Sequence, residues 1–421
     1  MKIFRIVILL SYVLSGYVYT IDVVDKVSVQ WLFLSFLNLI SITYFHFFEK
    51  NENNTASVIK SRLSLLLISF IVFSLFSYFY AINRNEVLIN IARWVNVLVA
   101  FYIFCISLHK EKSPAVTLSL IIIFGLFLEL LVTYLQIFYL NNQRQYDFTI
   151  ANRIVGLTAN KNINAASIIT KLPFVFYLFL IAKSEIAKFI SLIFIFFSTF
   201  ALIYIGSRAS LISLVLVTIF YSFFILIFRL KKIRFLTSFK QNLFPILISI
   251  LLGFLISYVS LGTDNSANFD KRLSSISINQ TSTALRLSYY KQAFNHFLEN
   301  PFIGVGLGNW KVKSIDYDNK LMSSYTVQYH AHNDFLQFLA ELGIIGTSLY
   351  LGLFISSFLT NIKFVFSNDT NDKYFSIVLI LSLGAYFVDS NLNFPYARVV
   401  NQIIFVSILT GTFFQKKLTN E

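Results

Sequence analysis

Charge is what this sequence has least of. Asp, Glu, Lys and Arg make up 13% of its 421 residues, against 57% for the hydrophobic types. A soluble domain carries about 25% charged residues. So little polar surface cannot cover a globule of this size, and a soluble fold is excluded. Cysteine is almost missing. The single thiol, Cys105, lies inside an apolar run. A disulfide within the chain and a cysteine-built metal site are both excluded. A small-residue cleavage site is lacking after the first apolar run, which ends in Tyr17, Tyr19 and Thr20. That run is expected to be a first span, not a signal peptide. Paired Gly/Pro-broken segments in two halves, the usual pointer to a transporter, are also lacking.

What is present is a series of apolar runs as long as a bilayer is thick. A span needs about 20 such residues and must satisfy its own backbone hydrogen bonds, so each run is a helix. Twelve spans are expected, at 3–20, 29–48, 63–82, 87–108, 115–140, 163–182, 189–206, 209–228, 243–262, 344–366, 374–390 and 399–414. The stretch 189–228 would be about 60 Å long as one helix, twice the hydrocarbon thickness. It is therefore broken at Gly206-Ser207-Arg208.

The net charge of +14 orients these spans. With the N-terminus in the cytoplasm, 18 of the 34 basic residues fall on the cytoplasmic side, five of them in the 229–240 connection. The short outer connections 21–28 and 83–86 carry Lys26 and Arg84 alone. This is the positive-inside pattern, so both termini are expected in the cytoplasm. Four parts follow. Spans fill 1–150, and 151–262 adds spans with outward-facing basic residues. An outer loop domain occupies 263–342, and 343–421 closes with further spans.

The outer basic residues are the informative ones. Arg144, Arg153 and Lys161 lie in the 141–162 connection, Arg286 in the long loop, and Arg398 just after Pro395. Orientation does not require them there, so they imply an anionic partner on the outer face. Arg208 is the sharpest, with apolar runs on both sides. An arginine near membrane depth usually faces a polar cavity, and its fork suits phosphate oxygens. Snorkelling to the interface is the plainer reading for Arg208 and for Arg93 and Lys171, and ordinary loop charge for Arg153 and Lys161.

The outer loop has structure of its own. Leu287, Tyr290, Phe294 and Phe297 recur at spacings of 3, 4 and 3, which predicts an amphipathic helix over 283–298. Asn300-Pro301 ends it. Gly304, Gly306 and Gly308 then alternate, which either lets backbone N–H groups approach a ligand or makes a tight turn. Next comes YHAHNDFLQFLAELGIIG, where Asn333 or Asp334 can cap a helix stopped by Gly343. His332 stands just ahead of that N-terminus. The positive end of the helix dipole holds an imidazole neutral there, as a general base requires. A histidine that only packs or caps reads equally well. His330, two residues away, makes a possible metal pair with no obvious third ligand.

Taken in order, GLTANKNINAA (156–166), GSRASLISL (206–214), ALRLSYYKQAF with NPFIGVGLGNW (284–310), HAHNDFLQFLAELGIIG (330–346) and NFPYAR (393–398) resemble the O-antigen ligase and O-antigen polymerase superfamily over roughly residues 150–400. The resemblance implies an all-helical membrane glycosyltransferase of the GT-C kind with a large periplasmic loop, in a bacterial inner membrane. It implies transfer of a glycan from an undecaprenyl-pyrophosphate carrier to an acceptor hydroxyl, without cofactor or metal. Another lipid-linked glycan, lipid A-core or a protein could be the acceptor. By motif, His332 is the candidate base, and Arg208 and Arg286 are the candidates for binding pyrophosphate. Arg153, Lys161, Asn162, His330, Asn333 and Gly306 are expected around the same substrate. Paired arginines in a low-dielectric cavity would stabilise the leaving group's charge as it builds. A groove between spans, open to lipid, would hold the polyprenyl tail. A transporter or flippase of lipid-linked glycan is the competing reading.

Overall fold

The computed structural model describes residues 2–18, 25–48, 52–142, 153–227, 239–260, 281–317 and 328–417. Its helices are α1 (Lys2–Ser15), α2 (Lys26–Phe48), α3 (Glu52–Ile59), α4 (Arg62–Phe76), α5 (Arg84–His109), α6 (Pro114–Asn142), α7 (Lys161–Ile181), α8 (Glu185–Ile205), α9 (Arg208–Ile227), α10 (Phe244–Ser260), α11 (Thr281–Glu299), α12 (Asp334–Phe364), α13 (Thr370–Leu392) and α14 (Val399–Lys417). Each of the twelve expected spans falls on a helix. Among the described residues, ten helices are long and apolar enough to cross a membrane. The other two expected spans fall on α1, which has 14 residues, and on the short apolar stretch Val399–Gln415 of α14. The chain is an all-helical multi-pass membrane protein. Arg144, Arg229, Lys231, Lys232 and Arg234 lie outside the described residues, as do 261–280 and 318–327 of the long loop.

The break at 206 has a local cause. Gly206 closes α8 in the left-handed region (φ 63°, ψ 38°), and its N–H donates to the Leu202 carbonyl. Such an end favours glycine, which has no Cβ to clash. Arg208 then opens α9. Gly343 does a related job inside α12. Its φ of +63° and ψ of −164° end the first helical segment at the position expected from sequence, and the chain then turns. It resumes helix at once, because the Ile344 N–H finds the Pro301 carbonyl at 2.8 Å. A Cβ at 343 would lie 2.3 Å from the Phe302 backbone. The turn after Pro301 thus packs directly onto the kink.

Helix α7 is the most enclosed, packed against α6, α8 and α13. It carries a charge into the core. Lys171 does not snorkel. Its Nζ lies 2.7 Å from Glu129 of α6, and it donates to Tyr17 and Ser167 at 2.7 Å each. Ser167 in turn donates to the Glu129 carboxylate. The carboxylate and two hydroxyls together surround the ammonium, which makes the pair tolerable away from water. Removing one partner would strand the other. Glu129→Leu or Lys171→Met alone is expected to destabilise the protein by about 3–5 kcal/mol, and the double replacement by much less. Denaturant unfolding in detergent, followed by tryptophan fluorescence, checks this. Equal losses in single and double variants would refute it.

Candidate functional site

The helix ends sort into two sets. At one end Lys2 pairs with Glu111. At the other, Trp31 Nε1 donates to the Ala397 carbonyl, Tyr80 to Ile303, and the Asn83 N–H to the Asn309 side chain. The site residues assemble at this second end.

Helix α11 organises them. Its buried face differs from the one the sequence predicted. Leu287 and Phe294 are exposed, while Ala293 and His296 are buried. In a membrane protein an apolar stripe can face lipid, and the polar face can then turn inward. The inward residues do three things. Thr283 accepts from Arg208 Nη1 at 2.8 Å. Arg286 Nη1 donates to the Leu392 carbonyl at 3.0 Å, where α13 ends. The Tyr290 hydroxyl lies 3.0 Å from the His332 carbonyl and 3.0 Å from that of Asn391. Residues 283, 286 and 290 share a helix face. One helix therefore ties the start of α9, the end of α13 and the histidine loop together.

His332 has a left-handed backbone, with φ at +56°. A non-glycine residue there is strained, and such strain collects at working sites. The next residue, Asn333, caps α12 by accepting from the Leu336 N–H at 3.0 Å. That side chain is thereby committed to the helix end. His332 Nδ1 is buried and makes no hydrogen bond among the described residues. Burial, and then the Arg286 guanidinium, push the imidazole pKa down to about 4. At neutral pH the ring is unprotonated and able to accept a proton. His330 is held lower still, at about 3, by burial and then by Arg398 and His332. Its ring stacks on Phe394 with centroids 4.3 Å apart. Of the two, His330 is the more sandwiched. Burial, followed by Arg208, also lowers the Arg286 pKa, against an opposing pull from Tyr290. Arg208, Arg286 and His332 thus form one electrostatically connected group.

Beside the histidines lies a cavity of about 630 Å³. Its walls include His330, His332, Tyr289, Arg93, Arg398 and Lys311. Sequence reasoning placed Arg93 at a span end and Arg398 after Pro395 without assigning either to the site. Arg153, Lys161 and Asn162 do not line this cavity. Arg153 is exposed, and the Asn162 N–H is capped by Asn160. Among the described residues, no three His, Cys, Asp or Glu side chains cluster to hold a metal.

The glycine loop plays a different part from ligand cradle. The Gly306 N–H already donates to the Glu341 carbonyl at 2.8 Å, and a Cβ there would meet Ala81 at 2.6 Å. The Gly308 and Trp310 N–H groups donate to the Glu341 carboxylate at 2.8 and 3.2 Å. The alternating glycines give close packing; the Gly306 and Gly308 N–H groups are taken up by Glu341, and that of Gly304 by the Asn300 carbonyl. Gln337, one turn earlier, donates to Glu341 and to Tyr396, and accepts the Ala331 N–H between the two histidines. Sequence reading missed Gln337 and Glu341. The signal was there, since Asp334, Gln337 and Glu341 make a polar stripe at helical spacing through an otherwise apolar helix.

Residues 193–351 match the family model described as O-antigen ligase. The match runs from within α8, through Arg208, Arg286, the glycine loop and both histidines, into α12. Over that stretch the chain is similar to O-antigen ligases. Three of the five resembling segments fall inside it, and 156–166 and 393–398 fall outside. No curated protein matches the chain. The match supports a glycan-ligase or glycosyltransferase-like activity.

The electrostatics of this site can be tested directly. In 15N-histidine NMR of the protein in nanodiscs, His332 should titrate near pH 4. Arg286→Ala removes a like charge but not the burial, so the pKa should rise toward 6.5, the ordinary value. An unchanged titration would show that Arg286 does not act on this ring.

Proposed function

We propose that this protein transfers a glycan from a polyprenyl-pyrophosphate carrier to an acceptor hydroxyl, in a single inverting displacement, at the outer face of a bacterial inner membrane. The observation that carries this reading is the junction on α11, where Arg208, Arg286 and the His332 loop are joined through Thr283, Arg286 and Tyr290.

In the proposed step the acceptor oxygen attacks the anomeric carbon. Its proton passes to His332 as the bond to the pyrophosphate oxygen breaks. Charge builds on that oxygen, and the two guanidinium groups lie where they can take it up. They are permanently charged, and a partly buried site makes each worth more than in water. The donor also tunes the base. With pyrophosphate bound, the charge of Arg286 is compensated, and the imidazole pKa moves up from about 4 toward its ordinary value. A better base therefore forms when the donor is in place. Once the pyrophosphate leaves, Arg286 again favours the neutral ring, and the proton is released.

A second cavity supports a lipid-linked donor. Its volume is about 730 Å³, and its walls come from α9, α12 and α13, with Phe220, Phe224, Phe354, Phe358 and Phe387 among them. The lining is almost wholly apolar. α9 begins at Arg208, and α13 ends at Leu392, the acceptor for Arg286. A polyprenyl chain lying in this groove would bring its pyrophosphate to the arginines. The excess of basic residues in the connections at the other end supports a site facing the periplasm, with both termini in the cytoplasm.

His332→Ala is expected to abolish transfer to acceptor while the protein still inserts and retains its melting temperature. Wild-type turnover in that variant, measured with a polyprenyl-pyrophosphate-linked glycan in nanodiscs, would remove His332 as the base. Arg208→Lys and Arg286→Lys should each recover little of the activity lost on substitution by Gln, because the bidentate fork is gone. Full recovery by lysine would mean that charge alone suffices.

A further inference from the structure

The donor reading uses Arg208 and Arg286 and leaves other arginines of the site without a task. Arg93 of α5 and Arg398, from the turn before α14, both line the cavity that holds the histidines. Arg208 and Arg286 do not line it. The same division runs through the histidine pair. Arg286 acts on His332, whereas Arg398 and Arg93 act on His330. Two cationic poles thus flank the two imidazoles.

Among the described residues, the second pole is short of anions. Arg93 and Arg398 lie near enough to repel each other, and Asp25 is the carboxylate that eases this. Lys311, on the same wall, is already matched by Glu86 at 2.6 Å. Two guanidinium groups against Asp25 leave an excess of positive charge. Their packing is aromatic: Arg93 sits 5.8 Å from the Trp31 ring centroid and Arg398 5.3 Å from that of Phe394. Among the described residues, neither guanidinium donates a side-chain hydrogen bond. Forks held in place by rings, half-buried and with donors unspent, are prepared for a planar or tetrahedral oxyanion. A pyrophosphate at Arg208 and Arg286 would lie beside His332 but off the wall that carries Arg93 and Arg398.

We propose that Arg93 and Arg398 bind a phosphate group carried by the acceptor glycan, on the side of the histidines away from the donor. This rests on the transferase reading above and narrows the acceptor to a phosphate-bearing glycan. The phosphate anchors the acceptor so that its hydroxyl reaches His332, and a neutral glycan loses that anchor. A phosphomonoester on a sugar and the pyrophosphate of a second lipid-linked glycan share this chemistry.

The test is equilibrium binding to the full-length protein in nanodiscs. The probes are a trisaccharide bearing a phosphomonoester, the same trisaccharide after phosphatase treatment, and the trisaccharide linked through pyrophosphate to a farnesyl chain. The phosphorylated trisaccharide should bind about tenfold or more tightly than the neutral one, the loss expected when charge-assisted hydrogen bonds are removed. Arg93→Gln with Arg398→Gln should erase that preference, and Arg208→Gln with Arg286→Gln should keep it. Asp25 is exposed, so Asp25→Asn is a mild change. It should tighten phosphate binding several-fold by removing the competing anion, and this keeps the proposal testable if the double arginine variant misfolds. Preference for the phosphomonoester over the farnesyl pyrophosphate points to a phosphorylated sugar, and the reverse to a second lipid-linked glycan. Equal affinity for the phosphorylated and neutral probes, or an unchanged affinity in Asp25→Asn, would overturn the proposal. Failure of the donor reading shows elsewhere, as undiminished binding of undecaprenyl pyrophosphate by the Arg208→Gln, Arg286→Gln protein.

Discussion

The carboxylate of Glu341 and the amide of Gln337, buried one helical turn apart on the first segment of α12, hold two loops that have no other reason to meet. Glu341 takes the N–H groups of Gly308 and Trp310, and Gln337 takes that of Ala331. Backbone donors buried away from water must be paired. Here the partners come from one helix, so the glycine loop and the histidine loop are fixed to the same rigid element. Everything at the site inherits its position from this arrangement. His332 can sit in a strained backbone conformation because Ala331 before it and Asn333 after it are both tied down.

The second constraint is electrostatic and runs the other way. Arg208 and Arg286 repel each other, and Arg286 disfavours protonation of His332. The members of this cluster are anchored to neutral groups, a threonine hydroxyl, the carbonyl ending α13 and a tyrosine bridging two carbonyls, and Asp389 draws on Arg286. The anchors keep the charges close without cancelling them. A site built so gains most when an anion arrives, and least when it is empty. Binding affinity for phosphate chemistry and a neutral base therefore arise from the same arrangement, and the donor's arrival changes both.

Deeper in the bundle the opposite solution is used. Lys171 and Glu129 cancel each other completely, with Tyr17 and Ser167 taking up the remaining hydrogen bonds. That pair is closed to ligands and joins α6 to α7. The contrast fits the proposed function: a charge matched inside the membrane is structural, and the positive charge gathered at the end of the bundle is where the proposal puts an anion.

By itself the sequence determined the membrane class, the positions of the spans, the break at Gly206 and the candidates Arg208, Arg286 and His332. The spans and the break follow from local rules, namely run length and hydrogen-bond closure in lipid, which need no knowledge of neighbours, whereas the three candidates are what the family resemblance implies. It could not decide which face of α11 turns inward, because in a bilayer an apolar stripe is as stable toward lipid as toward a core. Nor could it show that Lys171 has a partner 42 residues away, that Gly306 packs on Ala81, or that Arg93 and Arg398 share a wall with the histidines. Those are long-range pairings between helices, and only the packing of α5, α11, α12 and the 395–398 turn around one cavity decided them.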